Sequence, residues 1–196
     1  MENPIQLIVG LGNPGPEYSN TRHNAGAWCL QMLCDQWQLQ LHAEKKFQGE
    51  LAVLRPNGQR TEALYLLFPT TMMNLSGNAV RAVMQFYKLQ VSQLIVLHDE
   101  IDLPVGVTRL KKGGGHAGHN GLRDIIQACQ SADFYRLRIG VGHPGEQRLV
   151  HDYVLHAPTS SERDMIETSL TKVLHVFPHI LQGDYERAMQ LLHTES

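Results

Sequence analysis

The sequence predicts an α/β fold: one globular domain over residues 1–196, built on a mixed, twisted central sheet with helices on both faces. Three observations carry this reading. Apolar runs of strand length stand at 5–9 and 94–97, and 134–141 alternates as a strand, each followed by a polar stretch with glycine or proline. Between them lie segments with 3.6-residue apolar spacing, such as Ala79, Val80, Val83, Met84 and Tyr87. The chain is long enough to bury a core, and it shows no internal repeat, low-complexity tract or second-domain linker.

Composition narrows the class. Apolar residues make up 42% and charged residues 18%, ordinary for a soluble globular protein. No apolar run approaches the ~20 residues of a membrane span, and the opening MENPIQ lacks a basic stretch followed by an apolar one. Neither membrane association nor a signal peptide is expected. The three cysteines, Cys29, Cys34 and Cys129, are odd in number and lack paired spacing, which points to free thiols in a reducing, cytoplasmic setting. The net charge of −2 does not announce a nucleic-acid partner, but its distribution matters. Residues 109–148 hold seven Lys or Arg against three Asp or Glu, leaving −6 on the rest of the chain. That segregation suits a face for phosphates, or equally a solvated pair of charged strands.

Taken in order, residues 5–26, IQLIVGLGNPGPEYSNTRHNAG, set the pattern. A buried strand at 5–9 is broken by Gly10, Gly12, Pro14, Gly15 and Pro16, and a helix follows over about 21–38. The turn delivers Asn13, Tyr18, Thr21, Arg22, His23 and Asn24 to the strand end, where ligands bind in open α/β sheets. Gly10, Gly12 and Gly15 match G-x-G-x-x-G, but the prolines disfavour a helix opening there and no acidic residue ends a second strand in register. A dinucleotide site is therefore not expected. A structural turn with a surface histidine remains open beside a catalytic His23.

Residues 47–54 and 62–68 read as a hairpin around Arg55-Pro56-Asn57-Gly58. Thr70-Thr71-Met72-Met73-Asn74 makes a second strand-to-helix junction, in which Asn74 serves either as a helix cap or in a site. The strand at 94–97 runs directly into His98-Asp99-Glu100-Ile101-Asp102. His98, Asp99, Asp102, His116 and His119 are conceivable metal ligands, but they lack a recognised zinc spacing, so no metal is expected. A carboxylate orienting a histidine is more economical, and Asp99, directly after the strand, is best placed.

The strand at 107–112 puts Arg109 and Lys111 on one face, and that at 134–141 does the same for Arg136 and Arg138. If the two strands are neighbours, up to four cations converge near the glycine-rich loop at 113–121. That loop lacks the G-K-[ST] of a P-loop; it suits close backbone approach and places Asn120 at a helix start. The helix after it buries Leu122, Ile125, Ile126 and Cys129. In the C-terminal quarter, Thr159-x-x-Glu162 fits a capping box. Ile166, Leu170, Val173, Leu174 and Phe177 make a stripe, and Pro178 ends or kinks that helix. A last short helix after Gly183 docks Tyr185, Ala188, Met189 and Leu192.

Four separated motifs now stand in order: VGLGNPG with YSNTRHNAG, TTMMNLSG, HDEIDLPVG, and KKGGGHAGHNGL with FYRLRIGVGHPG. Together they resemble bacterial-type peptidyl-tRNA hydrolase, through about residues 5–145 and more loosely beyond. The resemblance implies an enzyme that hydrolyses the ester between a peptide and the 3′ ribose of tRNA, releasing both for reuse. It implies His23 as the catalytic histidine, Asp99 as its supporting carboxylate, and Asn13, Asn74 and Asn120 as site asparagines. Tyr18 and Met73 match neighbours of the substrate's 3′ end, and Lys111 and Arg138 match the residues that hold the 5′ phosphate. The implied partner is peptidyl-tRNA, met at its acceptor end and 5′ phosphate by a cytoplasmic monomer that needs no cofactor. Ala117 stands where a glycine is often found, and Arg109 where a lysine can occur. His98, His116 and His119 receive no role.

The residue types agree with that chemistry. An aminoacyl ester is activated, so neither a metal nor a covalent nucleophile is essential. A neutral histidine can take a proton from attacking water, a carboxylate can fix its tautomer, and an asparagine can donate to the oxyanion. No serine sits in a G-x-S-x-G elbow and no cysteine lies in a motif, which disfavours an acyl-enzyme. The alternative is a non-catalytic RNA-binding relative of the same fold.

Overall fold

The computed structural model describes residues 4–58 and 60–194. The chain runs β1 (Leu7–Gly10), α1 (Ala25–Gln36), β2 (His42–Glu44), β3 (Gly49–Leu54), β4 (Leu64–Pro69), α2 (Ser76–Tyr87) and β5 (Leu94–Glu100). Then come β6 (Thr108–Lys112), α3 (Asn120–Cys129), β7 (Tyr135–Gly140), α4 (Val150–Val154), α5 (Ser160–Leu181) and α6 (Tyr185–His193). The strands form one mixed sheet in the order β2-β3-β4-β1-β5-β7-β6. Its centre is parallel, with β1 between β4 and β5 and β5 paired to β7. The flanks are antiparallel, the β2–β3–β4 meander on one side and, on the other, β6 paired to β7 with α3 between them in the chain.

Period-2 alternation divides the apolar side chains between two cores. Ile8, Ile95, Leu97 and Leu137 face one layer, closed by α1, α5 and α6. Leu7, Val9, Leu94 and Val96 face the other, closed by α2 and α3. Strands covered on both faces read as continuous apolar runs, which is why 5–9 and 94–97 are so uniform. The glycines after β1 serve this packing. A Cβ on Gly10 would lie 2.5 Å from the Leu30 Cβ, and one on Gly26 would run into the Leu97 carbonyl. Helix α1 opens at Ala25, ten residues past Gly15, so these glycines let helix and sheet touch and do not form a dinucleotide loop.

Several expectations need correction. Strand β5 does not stop at Leu97; the ladder with β7 continues through His98↔Arg138 and Asp99↔Ile139 to Glu100↔Gly140, so Asp99 lies within the strand. Asn74 does not cap α2; it sits exposed in the turn Met73–Leu75, and Leu75 holds the cap position. Pro178 does not end α5, which continues to Leu181. An interior proline costs a helix about 3 kcal/mol. The fully buried Phe177 and Ile180 flanking it each contribute about 1.5–3 kcal/mol, enough to hold the last turn in place. The capping box forms as expected, with Glu162 N–H donating to Thr159 Oγ1 at 3.2 Å and Thr159 N–H to Glu162 Oε2 at 2.8 Å. No helix among the described residues is long and apolar enough to cross a membrane.

Candidate active site

The parallel strands β1, β4 and β5 end on the same side of the sheet, and their connections meet there around a cleft of about 700 Å³. His23, Asp99, Asn13, Tyr18, Met73, Asn74, Asn120, Lys111 and Arg138 all line it.

The first junction is held by two asparagines. Asn13 N–H donates to Asn24 Oδ1 at 2.9 Å, and Asn24 Nδ2 donates back to Asn13 O at 3.0 Å. The Asn13 side chain accepts the Met73 N–H at 2.7 Å through Oδ1. Its Nδ2 hydrogens are thereby left as the donor edge toward the cleft. Met73 is buried, and its sulfur packs where a Cβ on Gly121 would stand, so Gly121 is the residue that lets α3 meet the second junction. Asn120 is the exposed first residue of α3, and Tyr18 is half-buried.

His23 occupies the short turn Arg22–Asn24 before α1 and is 8% exposed. Its Nδ1–H donates to Asp99, 2.9 Å from Oδ2 and 3.0 Å from Oδ1, which leaves Nε2 as the basic nitrogen. Burial pulls the His23 imidazole down, but the Asp99 charge and hydrogen bond outweigh it and leave His23 above the ordinary histidine value. Burial alone would raise the Asp99 carboxyl. The charges and hydrogen bonds of His23 and His119 outweigh that and hold it well below the usual carboxylate range.

His119, by sequence only a conceivable metal ligand, stands against Asp99. Its Nε2 lies 2.7 Å from Asp99 Oδ1, and its Nδ1 accepts the Leu122 N–H at 3.3 Å as the cap of α3. His98 alternates to the other face of β5, bonds through Nδ1 to the Asp99 carbonyl, and is pushed by burial to about 3. Among the described residues, the conceivable metal set of His98, Asp99, Asp102, His116 and His119 is not assembled. Among the described residues the group that could hold an ion is His23, Asp99 and His119, whose ligand atoms lie within 4.8 Å of one another. Each contact in it is at hydrogen-bond length with an N–H on the histidine side.

Strands β6 and β7 do pair, placing Arg109 opposite Arg138 and Lys111 opposite Arg136. The four cations have different fates. Lys111 is exposed in the cleft, its Nζ folded over Gly114. Arg138 donates through Nε to Glu100 Oε2 at 3.0 Å, leaving its terminal nitrogens. Arg136 is buried and holds the carbonyls of Gly114 and Gly115, so it builds the loop. Arg109 turns to the carbonyls of Thr108 and Leu192, away from the loop, so the four-cation cluster is not formed. Ala117 in that loop has a φ of 46°, a left-handed conformation that favours glycine.

One wall was missed from sequence. Helix α4 and its flanks contribute Gln147, Val150, His151, Val154 and Leu155. Arg22 latches this wall beside His23, donating to Tyr153 O at 3.1 Å, His156 O at 3.3 Å and Glu162 Oε2 at 3.1 Å, with its guanidinium 3.9 Å above the Tyr153 ring. A five-residue helix carries too little periodicity to be read, and Arg22 shows its partners in this wall only once the chain is folded.

Comparison with known proteins gives a consistent answer. A family model described as peptidyl-tRNA hydrolase matches residues 7–196. The peptidyl-tRNA hydrolase of Neisseria meningitidis serogroup A is 48% identical over 196 residues, covering 100% of both chains. That of Nitrosospira multiformis is 50% identical over 191 residues, covering 97% of this chain and 98% of its own. The crystal structure of peptidyl-tRNA hydrolase from Acinetobacter baumannii superposes with a TM-score of 0.92 at 41% identity, covering 98% of this chain and 96% of that one.

Proposed function

The chain belongs to the peptidyl-tRNA hydrolase family and is an enzyme that hydrolyses peptidyl-tRNA, and we propose that His23 is its general base, supported by Asp99 and by Asn13. The observation that carries this is the 2.9 Å contact between His23 Nδ1 and Asp99 Oδ2, which leaves Nε2 to the cleft. Water held against Nε2 attacks the ester carbonyl as its proton passes to the imidazole. Asp99 keeps the required tautomer and stabilises the imidazolium. Asn13 Nδ2 donates to the tetrahedral oxyanion. Collapse breaks the bond to the 3′ oxygen of the ribose, which takes the proton from His23, freeing peptide and tRNA. Burial pushes the Cys29 thiol up to about 12 and those of Cys34 and Cys129 to about 11, which argues against a thiolate nucleophile.

The tRNA enters by its acceptor end, with Tyr18, Met73, Asn74 and Asn120 around the 3′ nucleotide and Lys111 and Arg138 on the 5′ phosphate. All six line the same cleft as His23. We infer a single domain over 1–196 acting as a cytoplasmic monomer. One continuous sheet and a cleft built from one chain support the first, and three free cysteines support a reducing compartment.

Asp99→Asn tests the pairing. The amide can hold the imidazole in the wrong tautomer, so turnover on peptidyl-tRNA should fall while the fold survives. A variant as active as the parent would remove Asp99 from the mechanism. Glu100 is turned to other partners, accepting the Asp102 N–H at Oε1 and Arg138 Nε at Oε2.

A further inference from the structure

Asp99 receives two imidazoles, and the catalytic scheme above uses only one. The second, His119, is fixed in an unusual way. Its Nδ1 accepts the Leu122 N–H that opens α3, so in this arrangement the ring hydrogen sits on Nε2, which points at Asp99 Oδ1 from 2.7 Å. The two histidine rings stand 4.9 Å apart, both against the same carboxylate. The side chains of His23 and His119 are each 10% exposed and that of Asp99 is 2% exposed, so water competes little for these bonds.

We propose that His119 is a positioning residue for the hydrolysis: a second, helix-oriented donor that shares the Asp99 carboxylate and so restrains its pull on His23. The proposal rests on His23 being the base. Its physical content is a balance. A carboxylate that accepts one imidazole stabilises the imidazolium strongly, and too strong a hold leaves the base protonated when water must be activated. A second donor spreads the same negative charge over two partners. It also keeps the carboxylate from taking the His23 proton itself. Because Nδ1 is used by the helix cap, the donor cannot easily turn over, and the start of α3, with Asn120, is tied to the dyad through the same ring.

The other groups around the pair do not provide this. On β5, His98 lies with its ring 5.2 Å from His119 but bonds to the Asp99 backbone, not to its carboxylate. On β7, Arg136 is spent on the glycine loop and Arg138 on Glu100. Tyr18, Lys111, His116 and His151 line the same cleft without a hydrogen bond to Asp99. Arg22, next to His23 in sequence, is turned to α4 and Glu162.

Two substitutions separate the functions of the ring. In His119→Asn, Oδ1 stands where Nδ1 was and keeps the cap, but nothing reaches Asp99. In His119→Gln, the longer amide can donate to Asp99 from near the Nε2 position and loses the cap. The titration of His23 is read directly by NMR on histidine-labelled, full-length protein, alongside the acid limb of kcat/KM on peptidyl-tRNA. His119→Asn should raise the His23 midpoint by about 0.5–1 unit. It should lower kcat/KM roughly three- to tenfold below that midpoint, with little change on the plateau. His119→Gln should stay near the parent in both readouts. A ring that merely builds the helix start gives the reverse, a silent Asn and a damaging Gln at every pH, and that result overturns the proposal. An unmoved His23 midpoint in His119→Asn overturns it as well. If the parent's acid limb departs from its own His23 titration, the base assignment itself fails, and the role of His119 in the reaction fails with it.

Discussion

Asn13 Oδ1 accepts the Met73 backbone N–H at 2.7 Å, and this bond ties the connection after β1 to the connection after β4. It also decides which end of the Asn13 amide is left toward the cleft. Asn13→Asp keeps the acceptor for Met73 and replaces the Nδ2 donor with a second oxygen. The fold should survive, with a thermal midpoint near the parent's, while kcat falls by about 10²–10³-fold, as for loss of an oxyanion donor. Activity equal to the parent's would pass the oxyanion role to Asn74 or Asn120.

The pH dependence has a definite sign. As the proposed base, His23 must be unprotonated to take a proton from water, and it titrates above the ordinary value of 6.5 because Asp99 outweighs the effect of burial. Activity should therefore fall as pH drops through a midpoint above 6.5, earlier than for a free imidazole. A pH profile of kcat/KM checks this. An acid limb in the carboxylate range would point to a carboxylate base.

Lys111 and Arg138 should act on the tRNA and not on the bond being broken. Lys111→Ala and Arg138→Ala should raise KM for peptidyl-tRNA and reduce the salt slope by about one counterion each. A peptide ester on a single nucleoside should be nearly indifferent to both. Removing the 5′ phosphate should reproduce the loss, without adding to it. Equal losses on full and minimal substrates would assign these residues to the fold.

Much of this arrangement was legible in the sequence, for identifiable reasons. Strands buried on both faces leave continuous apolar runs, and amphipathic helices such as α3 leave a stripe, so the central sheet and its layers could be read. The nine expected site residues line one cleft: Asn13, Tyr18 and His23 follow β1, Met73 and Asn74 follow β4, Asp99 lies near the end of β5, Lys111 and Arg138 come from the antiparallel β6–β7 pair, and Asn120 opens α3 after the loop that follows β6. What escaped detection depends on long-range contacts. Strand β2 is three largely exposed residues that exist only through pairing with β3. Asp99 belongs to β5 because β7, some forty residues on, extends the ladder. His119 meets Asp99 only when the glycine loop folds over β7, which Arg136 secures from below. Arg109 looks equivalent to Arg138 by alternation, yet the C-terminal helix claims it.

The most direct measurement of the central claim is the single-turnover rate of His23→Ala on peptidyl-tRNA at saturating enzyme, after exhaustive chelation, with tRNA affinity measured on the same preparation. A base at His23 predicts a rate about 10²–10⁴-fold below the parent's with tRNA binding essentially intact. An unchanged rate, or a loss wholly explained by weaker binding, would contradict it.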